Sequence, residues 1–340
     1  MGDRHAERAA PFVSDLCDRF LSDFVPTKRP NTQDQYRRIV RLHVRPRLGK
    51  VKVADVRPAD IDALHRSVSV RSPSMANRVV AVASKMFGLA VRWEMRADNP
   101  VKGVERNGEE KRSRYLTPPE IGYLSRVLNE THERVTANAV RLLLLTGARR
   151  AEVLSATWDQ FDLDAGVWTK PSAHTKQKKE HRVPLSSPAV TLLKEMRQSV
   201  QPGAKFLFPG ATAGKPLQGI KTFWGNAVRR ASVLMWADQP DTPAGSTVYR
   251  LKAKLGRLPT FAEVAKAAPA TLPPGLTDVR VHDLRHTYAS ILVSAGMSLP
   301  MIGALLGHTQ SQTTARYAHL MDDPLRKATE AAASVITKHI

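Results

Sequence analysis

The sequence predicts a two-domain, mainly α-helical protein with one small antiparallel β-sheet. Three observations predict it. The chain has 340 residues, too many for one ordinary hydrophobic core. Apolar residues recur at helical spacing over most of its length, with helix-start signals between the runs. Only "WDQFDLDAGVWTKP" and "EHRVPLS" place aromatic and β-branched residues around turn signals in the manner of short strands. The expected organisation is an N-terminal extension over 1–10, a helical domain over 11–105, a linker over 106–115, a second domain over 116–320 and a C-terminal helix over 321–340.

In the first domain, "PFVSDLCDRFLSDFV" repeats Val13, Leu16, Phe20 and Phe24 at helix spacing, with Cys17 on the same apolar stripe. "TQDQYRRIVRLHV" has Thr32 and Gln35 at capping-box spacing, then Tyr36, Ile39 and Val40 on one face. "RPADIDALHRSV" begins a third helix with proline in its first turn, and "SMANRVVAVASKMFGLAVRWEM" a fourth, with Met75, Val79, Val82, Met86 and Leu89 inward. Arg37, Arg38, Arg41, Arg45 and Arg47 punctuate the second helix and its exit. A solvated basic face and a DNA-contacting face explain that run equally well. "NGEEKRSR" is polar and without period, hence a linker. "LTPPEI" then starts a helix, with Thr117 as cap, Pro118 in the first turn and Glu120 at the box position. An insert at about 233–278 contains "STVYRLKAKLGRLPTFAEVAKAA", which reads as two short helices about a Gly-Arg-Leu-Pro turn. It has a helix-turn-helix flavour, but a solvated insert is the preferred reading. The tail reads as an amphipathic helix aligning Leu325, Ala328, Ala332 and Ile336.

Composition narrows the function. Lys plus Arg number 52 against 31 acidic residues, a net charge of +21. Such a field draws polyanions, and duplex DNA offers one negative charge per ~1.7 Å of axis. An anionic membrane surface, or nothing more than high solubility, are the other readings of the same charge. The run "VRLLLLTG" is interrupted within a few residues, so no bilayer span and no membrane partner is expected. "MGDRHAERAAP" lacks the apolar core of a secretory signal, which makes the cytoplasm the default compartment. The single cysteine excludes an internal disulfide framework and an all-cysteine metal site.

Four separated pieces of the second domain carry polar residues in apolar surroundings. In "LLLLTGARRAEVLSATW" a helix ends at Thr146-Gly147 and another starts around Arg149, Arg150 and Glu152. "HTKQKKEHRVPL" is a lysine-rich turn leading into a strand. In "VHDLRHTYASILVSAG" the residues Leu284, Tyr288, Ile291 and Ala295 share an inward face, with His282 and Arg285 one turn apart. "MIGALLGHTQSQTTARYAHL" places His308 after a helix-ending glycine and Tyr317 beyond. Singly, each piece has a structural explanation: an ion pair, a solvated hairpin tip, a polar helix edge, a core tyrosine.

Taken in chain order, "TGARRAEVL", the lysine turn before "RVPL", "HDLRH" and "LLGHTQSQTTARY" resemble the tyrosine recombinases of the phage integrase family. The resemblance covers residues 11 to 335, because the first domain also resembles that family's helical core-binding domain. It implies that Arg149 is the first catalytic arginine and Glu152 its acidic support. Lys176 is the implied catalytic lysine, eight residues before Pro184, with Lys178 and Lys179 as rivals and DNA contacts. His282 and Arg285 fill the His-x-x-Arg positions, His308 the position that is histidine or tryptophan in relatives, and Tyr317 that of the nucleophile. Arg37, Arg38 and Arg41 become expected DNA contacts.

The implied chemistry suits these groups. Attack on a phosphodiester adds negative charge, which two fixed guanidinium forks stabilise better than ammonium groups. Tyr317 would form a 3′-phosphotyrosyl bond, with His282 the natural acceptor of its proton, and Lys176 would protonate the leaving 5′-oxygen. No cofactor, metal or ATP is expected, since the ester stores the bond energy. The resemblance further implies double-stranded DNA as partner, a homotetramer on it and, in some relatives, accessory DNA-bending or directionality proteins. The C-terminal helix is expected to dock on a neighbouring protomer in preference to its own domain. A type IB topoisomerase-like enzyme and a non-catalytic DNA-binding regulator are the alternatives. Larger integrases carry an arm-binding domain ahead of the core-binding domain, for which this sequence has no room. "ERAAPFVSDL" resembles the junction that follows it, so a shortened chain or a simpler recombinase is expected.

Overall fold

Proline sets where most helices of the first unit begin. The computed structural model describes residues 10–110, 112–171, 180–200, 203–268 and 272–336, and divides into two units, Met1–Arg112 and Ser113–Ile340. In the first unit lie α1 (Val13–Arg19), α2 (Pro30–Ile39), α3 (Arg45–Leu48), α4 (Pro58–Ser69) and α5 (Pro73–Arg92). Proline occupies the first turn of all but α1, where its fixed φ is already helical and its missing N–H costs nothing. This corrects the expected cap at Thr32: Pro30 starts α2 two residues earlier, with Arg29 at the N-cap position and no side-chain cap.

Both α1 and α2 run on as π-helical turns, Phe20–Phe24 and Val40–Val44. Phe20, Phe24 and Tyr36 meet there, with ring centroids 5.3 to 6.5 Å apart. Cys17 is fully buried in this core, and burial pushes its thiol up to about 12, so it is packing rather than chemistry. Arg37, Arg38 and Arg41 are exposed. Residues 107 and 109 are tied to this unit: Asn77 accepts from the Asn107 amide at 2.9 Å and donates to Glu109 at 2.7 Å.

The second unit opens with α6 (Pro118–Glu130), where Thr117 and Glu120 form the expected capping box. Then follow α7 (Arg134–Thr146), α8 (Arg150–Leu154), β1 (Phe161–Asp162), β2 (Val167–Lys170), β3 (His181–Pro184), α9 (Ser187–Gln198) and α10 (Lys221–Ala237). The strands make one antiparallel sheet in the order β1-β2-β3, with Lys170 opposite His181. Trp168, Leu124, Leu193 and Phe208 anchor the core beneath it. The insert is two helices, α11 (Pro243–Leu255) and α12 (Phe261–Ala267), on either side of Gly256. They pack with Val233 and Trp236 of α10 into a small core of their own. The chain continues through α13 (Asp283–Ser294), α14 (Leu299–Leu306), α15 (Ser311–Ala315) and α16 (Asp322–Ile336). Leu325 of α16 is exposed, as is Ala328. Among the described residues no helix is long and apolar enough to cross a membrane.

On α13 the expected inward face is corrected. Leu284 is buried, but Ile291 is 51% exposed and Ala295 is exposed too. The buried residues are Asp283, Arg285, His286, Thr287, Ala289, Ser290 and Val293. A largely polar face turns inward because its groups find partners there. Thr287, for example, accepts from the Leu116 amide at 2.9 Å and donates to the Asp283 carbonyl at 2.8 Å.

Candidate active site

Two helix ends build the centre of the site. α7 stops at Gly147 (φ +59°) and α14 at Gly307 (φ +68°), both left-handed, where a side chain would be strained. A Cβ on Gly147 would also fall 2.5 Å from the Tyr288 ring, and one on Gly307 2.7 Å from His181. Each end presents carbonyls without intrahelical partners, at the negative end of a helix dipole. Arg285 takes both: Nη1 donates to Gly147 O at 2.9 Å and Nη2 to Leu306 O at 2.8 Å. The Nη2 of Arg149 donates to the next carbonyl, Gly307 O, at 3.4 Å. Two guanidinium groups from distant elements are therefore fixed on consecutive carbonyls.

Their environments differ. Arg149 sits at the N-cap of α8 with its side chain 48% exposed, whereas Arg285 is buried at 4%. Burial and the nearby Arg149 bring Arg285 down to about 10, still cationic at neutral pH. Glu152 orients Arg149: its Oε1 accepts from Nη1 at 2.8 Å and its Oε2 from the Arg149 amide at 3.2 Å. Burial works against the Glu152 carboxylate, but Lys170 and Arg149 outweigh it and hold the group at about 2.

Lys170 is a site residue the sequence reading missed. It lies at the end of β2, 6% exposed, with Nζ 3.0 Å from Glu152 Oε2 and 4.4 Å from the Trp168 ring centroid. Burial lowers its pKa, the Glu152 carboxylate opposes that, and Arg285 and Arg149 add to it. The asymmetry within the pair is physical, since Glu152 faces two cations while Lys170 faces one carboxylate and two guanidinium groups. Strand alternation puts Lys170 on the same side as Trp168, but no sequence signal says that a carboxylate lies opposite. His181, across the sheet, reaches the Ala304 carbonyl at 2.6 Å and ties β3 to α14. Lys176, Lys178 and Lys179, between β2 and β3 in the sequence, lie outside the described residues.

His308 follows Gly307 directly, and its Nδ1 is 2.7 Å from Thr314 Oγ1 of α15. Burial, then Arg285 and Arg149, lower it to about 4, so it is neutral. His282 is the exposed residue at the start of α13, its pKa lowered by partial burial and by Arg285. Tyr317 is 6% exposed and packs with Ala289, Val293, Ile302 and Leu306. Burial raises its pKa against the pull of Arg316 and Arg285. Its hydroxyl lies 2.7 Å from Nδ1 of His286, not on His282. His286 is itself 7% exposed and brought to about 4 by burial and then Arg316 and His282, with its ring edge-on to His282 at 5.1 Å. It stands inside the "HDLRH" motif next to Arg285, the one signal that could have singled it out.

The structure thus brings Arg149, Glu152, Arg285 and His308 around residues 306–308. Tyr317 is linked to that centre by His286, the neighbour of Arg285. Arg149, Glu152, Lys170, His181 and His308 line an open cleft of about 460 Å³. Among the described residues no group of three or more histidine, cysteine or acidic side chains could hold a metal ion.

Comparison with known proteins converges on one family. The phage integrase family model matches residues 114–235 and 259–323, and that of the phage integrase central domain matches 14–107. The gap between the two matched stretches falls within α10–α11 and the turn after it. Prophage integrase IntZ of Escherichia coli K12 is 30% identical over 187 residues, 54% of this chain and 46% of that protein. The integrase of Salmonella phage P22 is 26% identical over 276 residues, 78% of this chain and 61% of that protein. Tyrosine recombinase XerC of Lactobacillus delbrueckii subsp. bulgaricus is 25% identical over 268 residues, 78% of each chain. The chain thus spans between about half and three fifths of the length of the first two relatives. Among solved structures, the Tn1549 transposon integrase in complex with circular intermediate DNA has the same fold (TM-score 0.64, 19% identity, 94% of this chain and 99% of that one). So has a lambda integrase tetramer bound to a Holliday junction (TM-score 0.61, 17% identity, 91% and 81%). With both units matched and more than half of its residues under the integrase model, the chain belongs to the phage integrase family.

Proposed function

We propose that the protein is a site-specific DNA recombinase that cleaves and rejoins duplex DNA through a 3′-phosphotyrosyl intermediate. The observation that carries this reading is the fixing of Arg149 and Arg285 on the consecutive carbonyls Gly307 and Leu306, with Tyr317 packed against the same helix end. Two preset forks of N–H donors suit the two non-bridging oxygens of a phosphodiester, and charge developing there is what such donors stabilise. His308, neutral and held by Thr314, adds a hydrogen bond to the phosphate. Tyr317 attacks, its proton passes to a histidine of α13, and Lys176 protonates the departing 5′-oxygen. Lys178 and Lys179, with Arg37, Arg38 and Arg41, contact the DNA backbone. A 5′-hydroxyl from a second duplex then reverses the ester without ATP or metal.

Exchange between two duplexes needs four such sites, so the working assembly is a homotetramer on DNA. The exposure of Leu325 and Ala328 on α16 supports docking on a neighbour. The net charge of +21 supports duplex binding, with the cytoplasm, on the nucleoid, as the place of action. The test is a nicked half-site from which the cleaved 5′-end diffuses away. Denaturing electrophoresis should show a covalent protein–DNA adduct with the wild type and none with Tyr317→Phe, which loses only the hydroxyl. No adduct from the wild type would leave a non-catalytic DNA-binding protein; plasmid relaxation without joining of partners would leave a topoisomerase.

A further inference from the structure

We propose that His286, rather than His282, is the catalytic residue that accepts the Tyr317 proton, an assignment that rests on the recombinase reading above. The His286 ring nitrogen lies at hydrogen-bond distance from the reacting oxygen, 2.7 Å from Nδ1 to the hydroxyl. Both partners are nearly buried, at 7% and 6% exposure, so water does not compete for the proton. His282 stands one ring further out, edge-on to His286 and exposed. A hydroxyl donating to Nδ1 requires the tautomer with its hydrogen on Nε2, leaving Nδ1 free to take a second proton. On attack the phenolic O–H bond breaks, its proton moves to Nδ1 and His286 becomes imidazolium. The tyrosine oxygen bonds phosphorus as the bond from phosphorus to the 5′-oxygen breaks, and that oxygen leaves with a proton from Lys176. On resealing, the imidazolium returns its proton to the departing phenolate.

The charges around His286 tie its basicity to the charge of the bound substrate. Arg285, His282 and Asp283 face it from α13, Arg316 and Tyr317 from the segment after α15, and His308 lies near from the end of α14. Burial first, and then Arg316, His282 and Arg285, keep His286 poor in protons. A phosphodiester seated on Arg149 and Arg285 brings a negative charge that offsets them, so basicity rises when the substrate arrives. Helix geometry couples the two roles, because phosphate anchor and base are consecutive residues of α13.

The experiment uses the full-length protein and the nicked half-site, with single-turnover adduct formation followed from about pH 6 to about pH 10, the range from histidine to tyrosine titration. His286→Asn can keep a hydrogen-bond acceptor near Nδ1 but cannot take up a proton. DNA affinity should stay within about twofold, while adduct formation near neutrality should slow by ~10²–10⁴-fold, the usual worth of a general base. The deficit should shrink as rising pH increases the fraction of Tyr317 already ionised, which needs no base. Imidazole added to His286→Ala should restore part of the rate, an effect that a purely structural role would not produce. The proposal is overturned by a His286→Asn rate within about threefold of wild type, below the ~10²-fold floor for general bases. A deficit that stays constant across the pH range, with no rescue by imidazole, overturns it as well. A wild type that forms no adduct removes the recombinase reading itself, whereas a wild-type adduct with unimpaired variants removes only the role of His286.

Discussion

Replacing Lys170 by methionine tests whether a buried ammonium holds the arginine site in order. The side chains of Lys170 and Glu152 are 7% and 12% exposed, so solvent screens their contact little. A carboxyl held at about 2 instead of its ordinary 4.5 corresponds to ~3 kcal/mol favouring ionisation in the fold. Removing one member of a buried pair costs ~3–5 kcal/mol, because the other charge stays buried. Arg149 still reaches Glu152, so the lower end applies, ~3 kcal/mol. At ~2–4 °C per kcal/mol for a unit of this size, Tm should fall by ~6–12 °C. Trp168 lies under the ammonium, so tryptophan fluorescence during urea or thermal unfolding reports the affected unit.

The pH dependence follows from the sign of the Glu152 shift. Between about 2 and 4.5 the unfolded chain binds more protons than the folded one, so stability rises with pH there. The wild type's advantage over Lys170→Met should be complete above pH 4.5 and fade as pH falls toward about 2. Adding Glu152→Gln to Lys170→Met should recover at least half of the loss, since the stranded charge is gone. A Lys170→Met protein within ~0.5 kcal/mol of wild type at neutral pH, the range of an ordinary surface substitution, would refute the reasoning.

Three other outcomes are expected. Arg285→Lys loses the fork that joins Gly147 and Leu306, and should slow adduct formation by ~10²-fold or more while duplex affinity changes little, measured in single-turnover and filter-binding assays. Lys176→Ala should slow cleavage by ~10²–10⁴-fold on normal DNA and recover on a substrate whose 5′-bridging oxygen is sulfur, which leaves without a proton. Arg285→Ala should not recover on it, and the same assay on Lys178→Ala and Lys179→Ala separates the three lysines. Deleting residues 321–340 should spare adduct formation more than strand exchange; equal loss of both would show that α16 serves its own chain.

The local features were legible because their causes are local. Pro118 with the Thr117–Glu120 box starts α6, and Gly147 and Gly307 end α7 and α14, since each acts on backbone within one turn. Thr32 misled because Pro30, two residues earlier, is the stronger start. Ile291 and Ala295 misled because apolar period alone does not reveal that a polar face has partners waiting inside. Arg149, Glu152, Arg285, His308 and Tyr317 could be named from motif order alone, but not what each would touch.

The sequence by itself determined the family and the mainly helical class with its small antiparallel sheet, and it singled out charged and polar side chains as candidates for the site. Periodicity and motif spacing are properties of neighbours along a chain. Tertiary structure decided the contacts that give those side chains their chemistry. Arg285 bonds a carbonyl 138 residues away and Arg149 one 158 residues away, while the Tyr317 hydroxyl rests on a histidine 31 residues earlier. Lys170 became part of the site only because β2 lays it against α8. Burial there turns an ordinary lysine into the partner of the carboxylate that steers Arg149, a property of the space between elements rather than of either element's sequence.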